Sequence, residues 1–446
     1  QYRKASGLSQ EELAEKIGVS RQAVSKWERA EASPDTDNLI ILAQIYGVTL
    51  DELLQGESEA KAKGEAPENS DTPDENTTYV EDKRFSFKKG IHVNDGENKV
   101  DISFKDGINV EADDGSHVHV GKDGVHVHEY LRELVKNSGI DGMITVGEMA
   151  STDLKNCLLY TRPDSHELSM SFSFHHLKID YKNGDKWSLM DADISALKKI
   201  FEEWQVGMAE NNGWNAVFWC NDQPRAVSRF GDDTKYWKES AKMLAVTIHL
   251  MRGTPYIYQG EEIGMTNAKF NSIEQYRDVE SLNYYKILRD GGKSEDDALK
   301  IIGERSRDNG RTPMQWNAEK FAGFSTAESW ISSPANYKQI NVAAEEKDSD
   351  SILNFYKTLV KFRKENKIVQ DGDIKFFERE NNNVIAYCRT LGEEKLIVLC
   401  NYRGENVNLT EKNLSEYISD GYKKILGNYE GLEENLRPFE VVVFAK

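Results

Sequence analysis

Two carboxylates follow two short apolar runs in this sequence, and their placement predicts acid–base chemistry. Glu148 comes after the run Ile144–Val146, and Asp222 comes after the run Ala216–Trp219. Strands of α/β barrels present catalytic groups at their C-terminal ends in this way. Helical sequence lies between the two runs, which favours parallel strands of one sheet. Two carboxylates at the ends of two strands of one sheet suggest the acid/base apparatus of a glycosidase.

The elements that must position these carboxylates alternate between strand and helix. Apolar residues recur at helical spacing in three segments and form short extended runs in four others. From Ile374 onward the pattern changes to strands alone. The predicted strands are 144–146, 168–174, 216–219, 256–258, 384–389, 395–401 and 441–445, and the predicted helices are 193–208, 237–251 and 351–365.

Six sequence stretches in this half of the chain resemble the α-amylase-type glycoside hydrolases, and are most similar to trehalose-6-phosphate hydrolases and oligo-1,6-glucosidases. The resemblance covers roughly residues 129–446. It implies that the four predicted strands are strands five to eight of a (β/α)8 barrel and that the last strands form a β-sandwich. The stretches are ITVGEM (144–149), ELSMSFSFHHLKIDY (167–181), FWCNDQPRAVSRFG (218–231), GTPYIYQGEEIGMTN (253–267), YRDVES (276–281) and RSRDNGRTPMQW (305–316).

The resemblance also implies roles for individual residues. Glu148 matches the general acid/base, and Asp222 matches the carboxylate that hydrogen-bonds the sugar ring. His176, Lys178 and Arg225 are the candidate substrate-binding residues. Lys178 is a candidate for gripping a sugar 6-phosphate, or is a surface lysine. Arg225 could also bind the phosphate, or it could fix its loop.

Two departures from the family pattern bear on activity. A retaining glycosidase needs a carboxylate nucleophile, which the family places in an R-x-D motif on strand four, and no such motif precedes Glu148 on an apolar strand. The family also writes CNHDQPR where this chain has CNDQPR, so the histidine that helps to clamp the sugar is missing. A displacement of about 1 Å at such a site costs about a hundredfold in rate.

The N-terminal residues contain a second pattern. Ser9 and Glu12 form a capping box, Gly18 suits a helix C-terminus and Ser20 caps the next helix. Residues 2–54 resemble the Cro/phage-repressor type of DNA-binding domain, which implies that helix 20–29 enters the major groove. The implied DNA contacts are Arg21 to guanine or phosphate, Gln22 to adenine, and Ser25 and Lys26 to the backbone.

A solvated helix face that binds protein is the alternative to DNA binding. The segment is not net basic, so phosphate attraction is modest. We therefore expect DNA affinity to depend on a homodimer.

Residues 56–128 separate the two recognisable parts. Residues 56–79 are acidic and read as a flexible linker. A repeat with glycines 17 apart follows and predicts a small β-meander. His117, His119, His126 and His128 form two H-x-H pairs there, which are either a zinc or nickel site or an exposed polar face. We favour the polar face and predict no metal and no cofactor.

Composition limits the remaining possibilities. The formal net charge of −19 argues against wholesale coating of nucleic acid or membrane. The longest apolar run is too short to span a bilayer, and the N-terminus does not read as a signal peptide. The four cysteines lack disulfide or zinc spacing, which predicts reduced thiols and a cytoplasmic location.

Three interpretations follow. The chain is a DNA-binding protein fused to a hydrolase module that has lost hydrolysis, or an active retaining α-glycosidase, or a join of two genes with no evolved function. The first is favoured. The predicted domains are a helix–turn–helix bundle at 1–55, a linker at 56–79, a β-repeat at 80–128, half of a (β/α)8 barrel at 129–371 and a β-sandwich at 372–446.

Overall fold

The computed structural model of the chain divides into two compact units, residues 1–81 and residues 82–446. Within the described residues, the first unit contains helices and the second contains three sheets with their helices. The described residues are 2–6, 8–17, 21–28, 42, 45–46, 91–94, 99–103, 107–111, 117–121, 124–126, 144–149, 152–164, 167–219 and 222–446.

The first unit contains helices α1 (Tyr2–Ala5), α2 (Gln10–Ile17) and α3 (Arg21–Glu28). The predicted capping box at the start of α2 is present, since Ser9 N donates to Glu12 Oε2 (2.7 Å) and Glu12 N donates to Ser9 Oγ (3.1 Å). Gly18 and Ser20, predicted at the end of one helix and the start of the next, lie outside the described residues. A small apolar core joins α2 and α3, formed by Leu13, Ala14, Ile17, Val24 and Leu42.

The β-repeat forms an antiparallel sheet whose strands pair in chain order. Its register places His119 opposite His126 and His117 opposite Glu111. His128 lies outside the described residues. No group of three or more His, Cys, Asp or Glu is placed to hold a metal ion in the part of the chain that is described. The strands are β1 (Ile91–Asn94), β2 (Lys99–Ser103), β3 (Gly107–Glu111), β4 (His117–Gly121) and β5 (Gly124–His126).

The second sheet is parallel and has the order β6-β7-β8-β9. Its strands are β6 (Val146–Glu148), β7 (Met170–Phe172), β8 (Asn215–Val217) and β9 (Thr254–Pro255). The four strands were predicted, but β6 lies two residues later and β9 two residues earlier than the apolar runs indicated. Backbone pairing sets these limits, whereas apolar side chains continue into the loops that leave the sheet.

Helices follow the parallel strands and bury their apolar sides. In α5, Asp193 caps the N-terminus by accepting from Ala196 N (2.9 Å), and Leu197 and Met208 are fully buried. The predicted helices therefore form close to their predicted limits. The helices are α4 (Leu154–Thr161), α5 (Ile194–Glu210), α6 (Ala226–Phe230), α7 (Trp237–His249), α8 (Val279–Asp290), α9 (Glu295–Arg305), α10 (Val342–Glu345), α11 (Ile352–Glu365) and α12 (Lys367–Asp371).

The C-terminal residues form an antiparallel sheet of order β10-β11-β12-β14-β13, with helix α13 (Leu414–Ser419). This sheet packs on α7, where Tyr387 Oη donates to the carbonyl of Thr247 (2.8 Å). Cys157, Cys388 and Cys400 are free thiols. The strands are β10 (Asp373–Phe377), β11 (Val384–Leu391), β12 (Glu394–Asn401), β13 (Lys423–Gly427) and β14 (Val441–Ala445).

Candidate functional site

A pocket of about 330 Å³ brings Glu148, Asp222 and Lys178 together. Glu148 is the last residue of β6, and Asp222 lies in the loop that follows β8. Both side chains therefore reach the pocket from the C-terminal ends of parallel strands, as the sequence indicated. Glu148 and Asp222 are the two carboxylates among the described residues that line it; the others are Phe174, Leu177, Lys178, Tyr181 and Gln223.

Glu148 is exposed on β6, which among the described residues pairs with β7 alone. It pairs with Phe172 in the β6–β7 register, and the next residue continues the ladder because Met149 N donates to the carbonyl of Phe172 (3.0 Å). The backbone that carries Glu148 is thus fixed on one side by β7. Its carboxylate is accessible to a ligand in the pocket.

Asp222 is held by two arginines. Arg307 Nη1 donates to one carboxylate oxygen (2.8 Å), and Arg311 donates to the other through Nη2 (2.6 Å) and Nε (3.0 Å). Asp222 has a φ of 53°, in the left-handed region that non-glycine residues seldom adopt. Charge-assisted hydrogen bonds between guanidinium groups and carboxylates are stronger than neutral ones. The Asp222 carboxylate is thus held by two arginines, and its side chain remains 44% exposed.

The two arginines are anchored by a second carboxylate. Arg307 Nη2 donates to Asp278 Oδ1 (2.7 Å), and Arg311 Nη1 lies 3.7 Å from the same oxygen. The Asp278 side chain is only 1% exposed. Burial raises the pKa of Asp278, but hydrogen bonds from Ser281 and Arg307 outweigh burial and leave that pKa below its ordinary value. Asp278 therefore stays charged and fixes the arginines beside Asp222.

Lys178 lies at the end of a short 3₁₀ turn, His175–Lys178, and is exposed. Among the described residues, its ammonium group has no hydrogen-bond or ion-pair partner. An ammonium group without a protein partner at a pocket wall is free to bind an anionic ligand.

His176 and Arg225 are placed differently from Lys178. His176 Nε2 contacts the carbonyl of Phe218 (2.8 Å), and burial lowers the pKa of His176 to about 4. Arg225 is 1% exposed, and its guanidinium donates to the carbonyls of Gln259 (2.5 Å) and Asn309 (3.0 Å). Both side chains hold the walls of the site, and the contacts of Arg225 favour the loop-fixing role over ligand binding.

A buried ion triad supports the segment after Lys178. Arg229 donates to both oxygens of Asp180 (2.6 and 2.8 Å), and Arg305 also donates to this carboxylate. The Asp180 side chain is 3% exposed. Burial raises the pKa of Asp180, but the two arginines outweigh burial and lower the pKa overall. The triad ties this segment to α6 and α9.

The sequence reasoning missed the roles of Arg307, Arg311 and Asp278. All three lie in quoted motifs, RSRDNGRTPMQW and YRDVES. The charges of these residues were the available signal. Two arginines lie four residues apart in the first motif, and the second motif contains carboxylates that could pair with them. Their partners are up to 89 residues away in sequence, so pairing could not be assigned from spacing.

The predicted DNA-contacting residues lie on α3. Arg21 is exposed at its first turn, and Ser25 is partly buried. The side chains of Gln22 and Lys26 lie outside the described residues. The DNA contacts of these four residues stay predictions.

Two family models match the chain. The model described as the catalytic domain of alpha amylase matches residues 96–372, more than half of the chain. The chain belongs to the alpha-amylase family. The match starts upstream of residue 129, where the motifs placed the boundary, and it includes every residue of the pocket. A helix-turn-helix model matches residues 1–53, which identifies the N-terminal domain.

Similar proteins extend this assignment. The trehalose-6-phosphate hydrolase of Bacillus subtilis is 45% identical over 371 residues, covering 81% of this chain and 65% of the relative. The oligo-1,6-glucosidase of Bacillus cereus is 42% identical over 378 residues, covering 81% and 66%. The chain thus spans just under two thirds of the length of these relatives.

A solved structure shares the fold of the second unit. The crystal structure of Bacillus licheniformis trehalose-6-phosphate hydrolase matches with a TM-score of 0.67 and 48% identity, covering 72% of this chain and 59% of that chain. Among the described helices of this alpha-amylase-family chain, none combines the length and apolar character needed to cross a bilayer.

Proposed function

We propose that this protein binds DNA through its N-terminal domain and binds an α-glucoside or sugar phosphate in the pocket, without hydrolysing it. It would act as a transcription regulator. The pocket residues in this proposal are Glu148, Asp222 and Lys178, with His176 and Arg225 as supports. The proposed domains are 1–55, 56–79, 80–128, 129–371 and 372–446, as the sequence analysis delimited them.

The observation that carries the proposal is the engagement of Asp222 by Arg307 and Arg311. A retaining hydrolase needs an acid/base and a nucleophile, and the family resemblance implies a further carboxylate that hydrogen-bonds the sugar. The described residues of the pocket supply two carboxylates, and one of them is in ion pairs with two arginines. Such a site supports ligand binding better than bond cleavage.

The ligand class follows from Lys178. Lys178 lines a pocket that is also lined by Tyr181 and Gln223, whose polar groups suit sugar hydroxyls. A phosphate bound by an ammonium forms charge-assisted hydrogen bonds, which contribute more than neutral ones. A sugar 6-phosphate carries both kinds of group, a phosphate for Lys178 and hydroxyls for Tyr181 and Gln223.

Calorimetric titration of the full chain with trehalose 6-phosphate tests ligand binding. We expect Lys178→Ala to weaken binding by about tenfold to a hundredfold, the loss for one charge-assisted hydrogen bond. Lys182→Ala is the matched control, because Lys182 is an exposed lysine one turn further on and outside the pocket. Equal affinities of the two variants would remove Lys178 from the site.

An active α-glycosidase is the second candidate, favoured by the presence of Glu148 and Asp222 in one pocket. In that case Arg307 and Arg311 would release Asp222 when substrate binds. Hydrolysis of trehalose 6-phosphate or of an α-1,6-linked oligosaccharide, lost in Glu148→Gln, would favour this candidate over binding alone.

DNA binding is supported by the helix-turn-helix match and by the capped α2–α3 pair. We expect duplexes selected from a random pool to bind more tightly than scrambled ones. Arg21→Ala should weaken that binding by about tenfold, the cost of one base or phosphate contact. Lys347→Ala, which removes an exposed charge from the second unit, should leave affinity unchanged. Equal binding of selected and scrambled duplexes would contradict sequence-specific recognition.

The remaining parts of the proposal concern assembly. We place the parallel sheet as strands five to eight of a (β/α)8 barrel, the residues after 372 as a β-sandwich and the N-terminal helices as a bundle. A homodimer suits both DNA half-site recognition and the modest charge of the domain. The joining of a regulator domain to a hydrolase module is a gene fusion. Free thiols and DNA binding favour the reducing cytoplasm.

A further inference from the structure

The two outer strands of the parallel sheet differ in shape. Among the described residues, β6 pairs only with β7, and β9 pairs only with β8. Apolar side chains protrude at the β6 edge, where Ile144 is 69% exposed and Val146 is 38% exposed. An exposed apolar edge of this kind is a template for pairing with another chain.

The β9 edge borders a cavity, whereas the β6 edge exposes apolar side chains. A cavity of about 640 Å³ lies beside it, lined by Thr254 and Ile257 on the strand side and Val360 on α11. His249 also lines this cavity, and within the described part of the chain both of its ring nitrogens are buried without a hydrogen-bond partner. Buried polar atoms without partners cost free energy, so an occupant of this cavity would be stabilising.

A second copy of this chain would supply a neighbouring strand for both edges. Four parallel strands are half of the eight that close a barrel with a filled interior. Rotation by 180° about the barrel axis keeps all strands parallel and brings each β6 edge to the partner's β9 edge. Twofold dimers are the commonest protein oligomers, and this one leaves neither edge open.

We propose that two copies close one eight-stranded ring, each inserting its β6 edge beside the β9 edge of the other. The inference rests on the four-stranded sheet and needs neither DNA binding nor ligand binding. Counting strands, Asp222 of the same copy is two strands from Glu148 on one side, and the partner's Asp222 is two strands away on the other. The partner therefore contributes a carboxylate to each pocket.

Sedimentation of the full chain with charged edge variants tests the contact. We expect a dimer that Ile257→Asp converts to monomer and that Ile287→Asp leaves intact. The two isoleucines are a matched pair, since their side chains are 41% and 39% exposed, but Ile287 lies on α8 away from the edges. A monomeric wild-type chain would overturn the proposal, and so would a dimer that Ile257→Asp leaves unchanged, because that dimer would depend on another surface.

Cross-linking decides the matter even where Ile257→Asp fails to fold. A tagged Val146→Cys copy mixed with a Ile257→Cys copy should give an inter-chain product with a short bis-maleimide. Two Val146→Cys copies should give none, because the twofold axis places these positions across the ring. Products from the second mixture, or none from the first, would contradict the proposed pairing. Neither result depends on turnover or on DNA binding.

Discussion

At the scale of single residues, Asp222 determines what the pocket can do. Its carboxylate makes three hydrogen bonds to two arginines, and Asp278 holds those arginines in turn. A ligand that needs Asp222 must compete with this network. Binding through Lys178 requires no such competition, and this difference is the basis for proposing a binding site rather than a hydrolase.

The sequence predicted part of this site and missed the rest. Strand ends and motif matches were sufficient to select Glu148, Asp222 and Lys178, which the structure brings into one pocket. The ion pairs of Asp222 connect residues far apart in sequence, and such pairing depends on the folded chain. His176 and Arg225 resemble ligand-binding residues by type, but burial decides their role and burial is a tertiary property.

The buried ion triad of Asp180, Arg229 and Arg305 gives a residue-scale prediction for stability. Removing one partner of a buried pair leaves an uncompensated charge and costs about 3–5 kcal/mol. We expect Asp180→Asn to lower the free energy of unfolding by that amount at neutral pH. The exposed pair Asp164–Arg162, 3.4 Å apart, is the control, because Asp164→Asn should cost under about 1 kcal/mol.

The pH dependence of the same variant follows from the lowered pKa of Asp180. A lowered folded-state pKa means that the ion pair stabilises the protein above the ordinary pKa of about 3.9 and loses this effect as pH falls through the lower value. The difference in the free energy of unfolding between wild type and Asp180→Asn, measured with urea from pH 7 to pH 2.5, should therefore become smaller at acid pH. A constant gap would show that Asp180 does not titrate as described.

At the scale of elements, apolar periodicity predicted the helices well because it depends on local spacing. Asp193 begins α5 as predicted, and the same helix buries Leu197. The limits of the short parallel strands were predicted less accurately, since the ends of β6 and β9 depend on pairing with strands that are distant in sequence. The predicted domain limits stay predictions.

The apolar side of α5 gives an element-scale prediction. Leu197 is 0% exposed, so Leu197→Ala should destabilise the second unit by about 2–5 kcal/mol through the cavity it leaves. Leu159 on α4 is 42% exposed, and Leu159→Ala should change stability by under about 0.5 kcal/mol. Thermal unfolding followed by circular dichroism compares the two; equal losses would mean that α5 does not pack as described.

At the scale of the whole molecule, the chain combines a helix-turn-helix domain with an alpha-amylase-family module that spans just under two thirds of the length of its relatives. The parallel sheet contains four strands within the described residues and leaves two edges open. Under the proposed pairing, two copies would satisfy these edges.

The most direct measurement of the central claim is the release of glucose 6-phosphate from trehalose 6-phosphate by the purified full chain. Binding measured by calorimetry on the same preparation shows that the pocket is intact. We predict saturable binding with no release above that of the Glu148→Gln variant. Release by the wild-type chain that Glu148→Gln abolishes would contradict the account and establish a hydrolase.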